Sequence, residues 1–235
     1  MILGLIALGI LPSIVWLSIY LKEDDHPEPN KFIIRVFFLG ALSAPLAAGL
    51  EFLLIGGVRE LAWPAVIVNF LVFFVFIGAV EEYCKYLAVR LGVEGKSVFD
   101  EPTDAMIYLI VSGLGFAALE NVLALFHFTD RAAAALAGQA FEITALRFLS
   151  STLLHVLASA IVGYHLARSH FFREKLAVAK GIVIAGFLHG AYNVLTLNSE
   201  SFQKIGPTLS VIALLGIMAI GVNFLFYKLK REYFR

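Results

Sequence analysis

Glu81-Glu82-x-x-Lys85 sets two adjacent carboxylates and an ammonium inside a chain otherwise built for lipid. From Pro64 to Val80 every residue is apolar except Asn69. A helix through this run carries Glu81 and Glu82 into or just beneath the hydrocarbon layer, where charges are costly and by default mark function. On that helix Glu81 and Lys85 are spaced i,i+4, the favourable Glu-before-Lys order, while Glu82 points ~100° away around the axis. The spacing therefore predicts that Lys85 holds Glu81 and leaves Glu82 for chemistry.

Few other polar groups lie in apolar surroundings. Glu120 and Asn121 follow Phe116-Ala117-Ala118-Leu119, His155 stands alone, and His189 and Asn193 share a helix face at i,i+4. Ser151, His155, Ser159 and Gly163 recur every fourth residue. They form a narrow face of small residues that lets a neighbouring helix approach closely and aims His155 at it. Arg147 falls near the end of its apolar run, where snorkelling to the interface accounts for it. Each group has a structural reading: the histidines as donors between helices, Glu120 as a partner of Lys85. The occurrence of Glu81, Glu82, Glu120, His155 and His189 on four helices near mid-membrane favours a shared site. Depth works against it, because straight helices put Glu81 and Glu82 several ångströms to one side of the midplane and Glu120 to the other. A tilt of the common ~20°, or a third helix protruding from the bilayer, closes that gap.

The elements that must position these residues follow from composition. With 60% hydrophobic residues, 15% charged residues and a mean hydropathy of +0.86, the chain is an integral membrane protein. Its net charge of zero gives no sign of nucleic-acid binding. Cys84, the single cysteine, excludes an internal disulfide and suits a small packing residue. Met1 to Leu21 has no basic residue before Lys22, unlike a cleavable signal peptide. Six more apolar runs follow: Phe32 to Leu54, Ala65 to Leu91, Ala105 to Phe128, Phe141 to Ala167, Leu176 to Leu197 and Leu209 to Tyr227. Each approaches the ~20 residues needed to span a bilayer. The connectors are polar, punctuated by Gly and Pro, and too short for a soluble domain.

The expectation is an all-α, polytopic membrane protein of about seven transmembrane helices, forming one domain over residues 1–235, with the chemistry in helices within 65–197. Odd-numbered connectors and the C-terminal tail, with their flanks, hold 14 of the 18 Lys and Arg residues; Arg59, Arg131, Arg147 and Lys204 lie on the other side. The positive-inside rule then puts the N-terminus outside and the C-terminus in the cytoplasm.

Glu81-Glu82-x-x-Lys85, Gly113-Leu114-Gly115-Phe116-Ala117-Ala118-Leu119-Glu120-Asn121, His155 with Ser159 and Gly163, and Leu188-His189-Gly190-Ala191-Tyr192-Asn193 resemble, in this order, the motifs of the PrsW family. That family consists of polytopic intramembrane proteases, distantly similar to the CAAX-prenyl-protease and bacteriocin-processing clan. The resemblance runs from about Val75 to Val194. It implies hydrolysis of a peptide bond in a single-span, membrane-anchored protein at a prokaryotic plasma membrane. In the family the target is an anti-sigma factor, whose first cut releases a stress-response programme. Carried over, Glu81 and Glu82 match the acidic pair, Glu120 the second carboxylate, and His155 and His189 the histidines. Lys85 and Ser159 are supporting residues.

Amide hydrolysis needs an activated water, a proton donor for the leaving amine and a stabilised oxyanion. Two arrangements meet these needs. In one, His155, His189 and Glu120 hold Zn²⁺ with a position open for water, and a remaining glutamate is the base. In the other, Glu81 or Glu82 acts with Glu120 directly on water, while His189 and Asn193 donate to the oxyanion. No HExxH occurs, so the helix-borne zinc signature is absent. The rival reading is a proton- or ion-coupled transporter using the same Glu/His cluster. The two halves of the chain show no evident repeat and no paired broken helices to support it. A catalytically dead scaffold ranks third, since no polar group of the motifs is missing.

Overall fold

The computed structural model describes residues 2–24, 26–126, 133–197 and 205–233, and the side chains of all of these except 133–137 and 205–208. Arg131, Lys204, Arg235, residues 129–132 of the connector expected at Thr129 to Gln139 and residues 198–204 of that expected at Asn198 to Pro207 lie outside that set. The described residues form helices and contain no strand. We number them α1 (Ile2–Tyr20), α2 (Asn30–Arg59), α3 (Ala65–Gly92), α4 (Pro102–Phe126), α5 (Ala133–Leu149), α6 (Ser151–His170), α7 (Ala177–Leu197) and α8 (Ile205–Tyr233). Seven spans among the described residues are long and apolar enough to cross a membrane, as expected, with α5 and α6 together supplying the fifth, Gly138–His170.

α4 is the hub. Its residues from Pro102 to Ala118 are all buried, and it packs most extensively on α6, then on α2 and α1. Small residues make this possible. A Cβ on Gly113 would lie 2.3 Å from Ser159 Oγ, so the narrow face of α6 meets α4 across a glycine. The start of α4 is fixed by Pro102 at its first position and by Asp104, whose Oδ2 accepts from the Asp100 and Glu101 amides at 3.0 and 2.7 Å.

α3 is 28 residues long, ~42 Å at ~1.5 Å per residue, against a hydrocarbon layer of ~30 Å. The excess gives it room to tilt or protrude, as the depth offset of its glutamates demanded. Residues Leu71–Ala79 form a π-helical stretch that ends immediately before Val80-Glu81-Glu82, and wide turns of this kind recur at functional sites. Ser112 on α4 donates to the Lys85 carbonyl at 2.9 Å, tying the two helices at the level of the acidic pair.

The fifth span departs from expectation. The continuous helix foreseen from Phe141 to Ala167 is two helices, broken at Ser150, whose φ and ψ of −121° and −86° are not helical. Ser150-Ser151-Thr152 explains the break: hydroxyl side chains compete for backbone groups, and Ser150 Oγ donates back to the Leu146 carbonyl at 2.6 Å. α2 also extends past its expected end at Leu54 to Arg59.

Two outcomes follow from these contacts. A Cβ on Gly78 of α3 would sit 2.2 Å from the Gly186 carbonyl oxygen of α7, whereas Gly57 has nothing within 4 Å. Gly78→Ala should therefore cost about 1–3 kcal/mol through overpacking, while Gly57→Ala should be neutral or gain up to about 1 kcal/mol. Thermal unfolding of the purified protein in detergent compares them, and equal melting temperatures would contradict the packing described.

The second concerns Glu28, in the connector before α2, which accepts a hydrogen bond from Tyr108 of α4. Burial first, and the nearby Asp24 and Asp100, push its carboxyl above the usual carboxylate range, against the opposing Tyr108 bond. A carboxyl raised in the folded state binds its proton more tightly there than in the unfolded chain. Its contribution to stability is thus complete below the unfolded value of ~4.3 and is lost as pH rises through the folded value. Glu28→Gln should flatten that part of the stability–pH curve, and an unchanged curve would assign the dependence elsewhere.

Candidate active site

Lys85 stands at the centre of the buried polar groups. Its Nζ, fully buried, is 2.7 Å from Glu82 Oε1, 2.8 Å from His155 Nδ1 and 3.4 Å from Glu81 Oε2, and lies 4.5 Å from the Phe116 ring centroid. The expected Lys85–Glu81 pair is present, but Glu82 is the closer partner and the more fully engaged carboxylate. Its Oε1 also meets His189 Nδ1 at 3.0 Å. Positions i,i+3 and i,i+4 are both neighbours on a helix, and His189 across the interface decides between them. Glu81, not Glu82, is the member of the pair that reaches the cavity.

Donor and acceptor chemistry assigns both imidazoles. An ammonium can only donate, so His155 Nδ1 accepts from Lys85 and its Nε2 carries the hydrogen, which goes to Glu120 Oε2 at 2.8 Å. A carboxylate can only accept, so His189 Nδ1 donates to Glu82, and His189 Nε2 keeps a lone pair. That lone pair is 3.7 Å from Glu81 Oε2, and His155 Nδ1 is 3.9 Å from the same oxygen. The two rings stand edge to face with centroids 5.2 Å apart.

Glu81, His155 and His189 thus bring one ligand atom each to within 4.8 Å of one another, the His155 Nδ1 lone pair being engaged by Lys85. This donor set suits a divalent metal: two neutral imidazoles and a carboxylate, with each histidine giving its other N–H to a second carboxylate. Sequence reasoning placed Glu120 in the ligand trio. The convergent carboxylate is Glu81, while Glu120 stands behind His155 as its hydrogen-bond acceptor. Lone pairs and helix faces could not separate the two, because which nitrogen of His155 faces inward depends on Lys85.

A cavity of about 380 Å³ opens on this cluster, lined by Glu81, Glu120, Arg147, Ser150, Ser151, Leu154, His155, His189, Tyr192, Asn193 and Thr196. Asn193 lies on its wall one turn beyond His189, as their spacing implied. Glu82 and Lys85 stay behind the wall. Ser159 is also outside it: it packs against Gly113, and its hydroxyl has no hydrogen-bond partner among the described residues.

Arg147 does not snorkel. It lines the cavity, donates through Nε to Asn121 Oδ1, and brings Nη2 to 3.5 Å from Glu120 Oε2. Asn121 in turn donates to Thr152 Oγ1 at 3.1 Å. The sequence signal missed was the hydroxyl run at Ser150-Ser151-Thr152, which breaks the helix and redirects the arginine.

Comparison with known proteins shows the family. The description "PrsW family intramembrane metalloprotease" matches residues 28–222. A protein named Protease PrsW from Bacillus subtilis (strain 168) is 30% identical over 213 residues, covering 87% of this chain and 88% of that protein. Its counterpart from Oceanobacillus iheyensis is 30% identical over 231 residues, covering 97% and 96%, and that from Geobacillus kaustophilus is 29% identical over 200 residues, covering 84% and 81%. No solved structure matches. With its seven spans and a Glu/His/His cluster buried among them, the chain belongs to the PrsW family of intramembrane metalloproteases and is a multi-pass membrane protease.

Proposed function

We propose that this protease cuts single-span membrane proteins, anti-sigma factors among them, using Zn²⁺ held by Glu81, His155 and His189. One observation carries the reading: each histidine gives one N–H to a carboxylate and holds its other nitrogen within 3.9 Å of Glu81 Oε2. Bound there, the metal supplies Lewis acidity and lowers the pKa of water. The chain's own residues do the rest. Glu82 and Glu120 fix the two tautomers, and Glu120, 32% exposed at the cavity, takes the proton from water and passes it to the leaving amine. Asn193 on the cavity wall donates to the oxyanion. Lys85 keeps Glu82 as its nearest counter-charge.

A second reading has one observation in its favour. The Lys85 ammonium already sits 2.8 Å from His155 Nδ1, an arrangement suited to a metal-free site in which Glu81 and Glu120 act on water alone. Elemental analysis and chelation decide between the two. The zinc reading expects about one Zn²⁺ per chain in wild type, none in His189→Ala, and activity lost to a strong chelator and restored by Zn²⁺. Full activity in a metal-free preparation would overturn it.

Cleavage of a single-span reporter by purified protein in liposomes tests the residue roles. Glu82→Gln should lose ~10–100-fold through His189, and Asn193→Ala ~10²–10³-fold in kcat, as for other single oxyanion donors. Wild-type rates in either variant would remove that residue from the site.

The proposed topology, N-terminus outside and C-terminus cytoplasmic, follows the 14-to-4 distribution of basic residues. Cys84 is fully buried, so a cysteine placed at Lys96 can be labelled against a silent background. Lys96→Cys should react only after the membrane is permeabilised, and labelling from outside in intact cells would invert the orientation.

A further inference from the structure

We propose that Arg147 is a positioning residue of this site, holding the Glu120 carboxylate in place against His155. The inference rests on the reading of Glu120 and His155 given above and adds a residue that the motifs do not contain.

Glu120 Oε2 is approached from two sides, by His155 Nε2 at 2.8 Å and by Arg147 Nη2 at 3.5 Å. These partners are eight residues apart in sequence, ~12 Å along an unbroken helix. The break at Ser150 and the length of the arginine side chain let both reach one oxygen. The guanidinium is itself fixed. Nε donates to Asn121 Oδ1, and Asn121, buried, is anchored by its bond to Thr152 on α6. Because the guanidinium is a rigid plane, holding Nε sets the direction of Nη2. Arg147 therefore grips Glu120 and Asn121, two consecutive residues of α4, from the far side of the break.

Glu120 matters to His155 because it takes the Nε2 hydrogen and so leaves Nδ1 as the nitrogen facing Glu81. A carboxylate free to swing would leave Lys85 alone to hold the ring in that state. At 3.5 Å the Arg147–Glu120 contact is longer than a direct N–H···O bond. It acts chiefly as a close positive charge, which lysine can partly replace.

The test separates positioning from packing and from substrate binding. On the single-span reporter used for the wild-type rate, Arg147→Ala and Arg147→Gln should each lower kcat by ~10-fold or more while KM changes less than ~2-fold, and zinc affinity should fall by ~10-fold. Arg147→Lys should recover most of the loss. Arg147→Gln keeps an amide donor for Asn121 and carries the same expectation if Arg147→Ala does not fold. A raised KM at unchanged kcat would instead make Arg147 a substrate contact. Equal losses in the Gln and Lys variants, tracking a lowered melting temperature, would reduce it to packing, and either result overturns the proposal. His155→Ala and Glu120→Gln at wild-type rates would overturn the site reading itself. Both inactive beside an unaffected Arg147→Gln would overturn this inference alone.

Discussion

Glu82 is the constraint around which the rest is arranged. It has no solvent exposure and sits in a helix whose preceding turns are wholly apolar. A charge in such a place costs several kcal/mol unless it is compensated on the spot. Lys85 compensates it from one turn along the same helix, and His189 from the facing helix. The second contact needs α3 and α7 in near backbone contact, which Gly78 opposite Gly186 permits. The buried ammonium then orders a second histidine, because a group that can only donate dictates the tautomer of His155. Compensation of one buried carboxylate thus propagates to the orientation of both imidazoles.

The three carboxylates divide their work by environment. Glu82, bound through Oε1 to Lys85 and His189, has a structural and orienting role; Glu81 faces the cavity and the two imidazoles; Glu120 meets an imidazole and a guanidinium. Residues of the same type come to differ in chemistry because each meets a different set of donors. The same division weighs against the transporter reading. An ion pathway needs polar groups along a route through the bilayer, whereas Glu81 and Glu120 line one cavity with Glu82 behind its wall, and the family is a protease family.

Much of this was legible in the sequence. The seven spans, the polar residues that matter and the i,i+4 relation of His189 to Asn193 follow from hydropathy and helical periodicity, which are local properties. Partner choice was not legible. Lys85 has two carboxylates within reach on its own helix, and a residue on another helix selects between them. Glu120 and Glu81 are both compatible with a ligand role in the sequence, and only the side of His155 on which each stands tells them apart. Arg147 was hidden for a related reason: an arginine near the end of an apolar run has a sufficient explanation in snorkelling, and nothing within its own run contradicts it.

The break at Ser150 shows what the site requires of its scaffold. On α6 the face that repeats every fourth residue, Ser151, His155, Ser159 and Gly163, meets α4 at Ser159 and Gly163 and the cavity at Ser151 and His155. Interrupting the fifth span one turn before His155 keeps the lower part packed against α4 and redirects the upper part. Ser150, Ser151 and Arg147 then line an opening above the cluster. Packing against α4 and the wall of the cavity beside Glu81 are thereby both built from one span. At the junction the Leu146 carbonyl accepts both from the Ser150 amide at 3.0 Å and from the Ser150 hydroxyl at 2.6 Å.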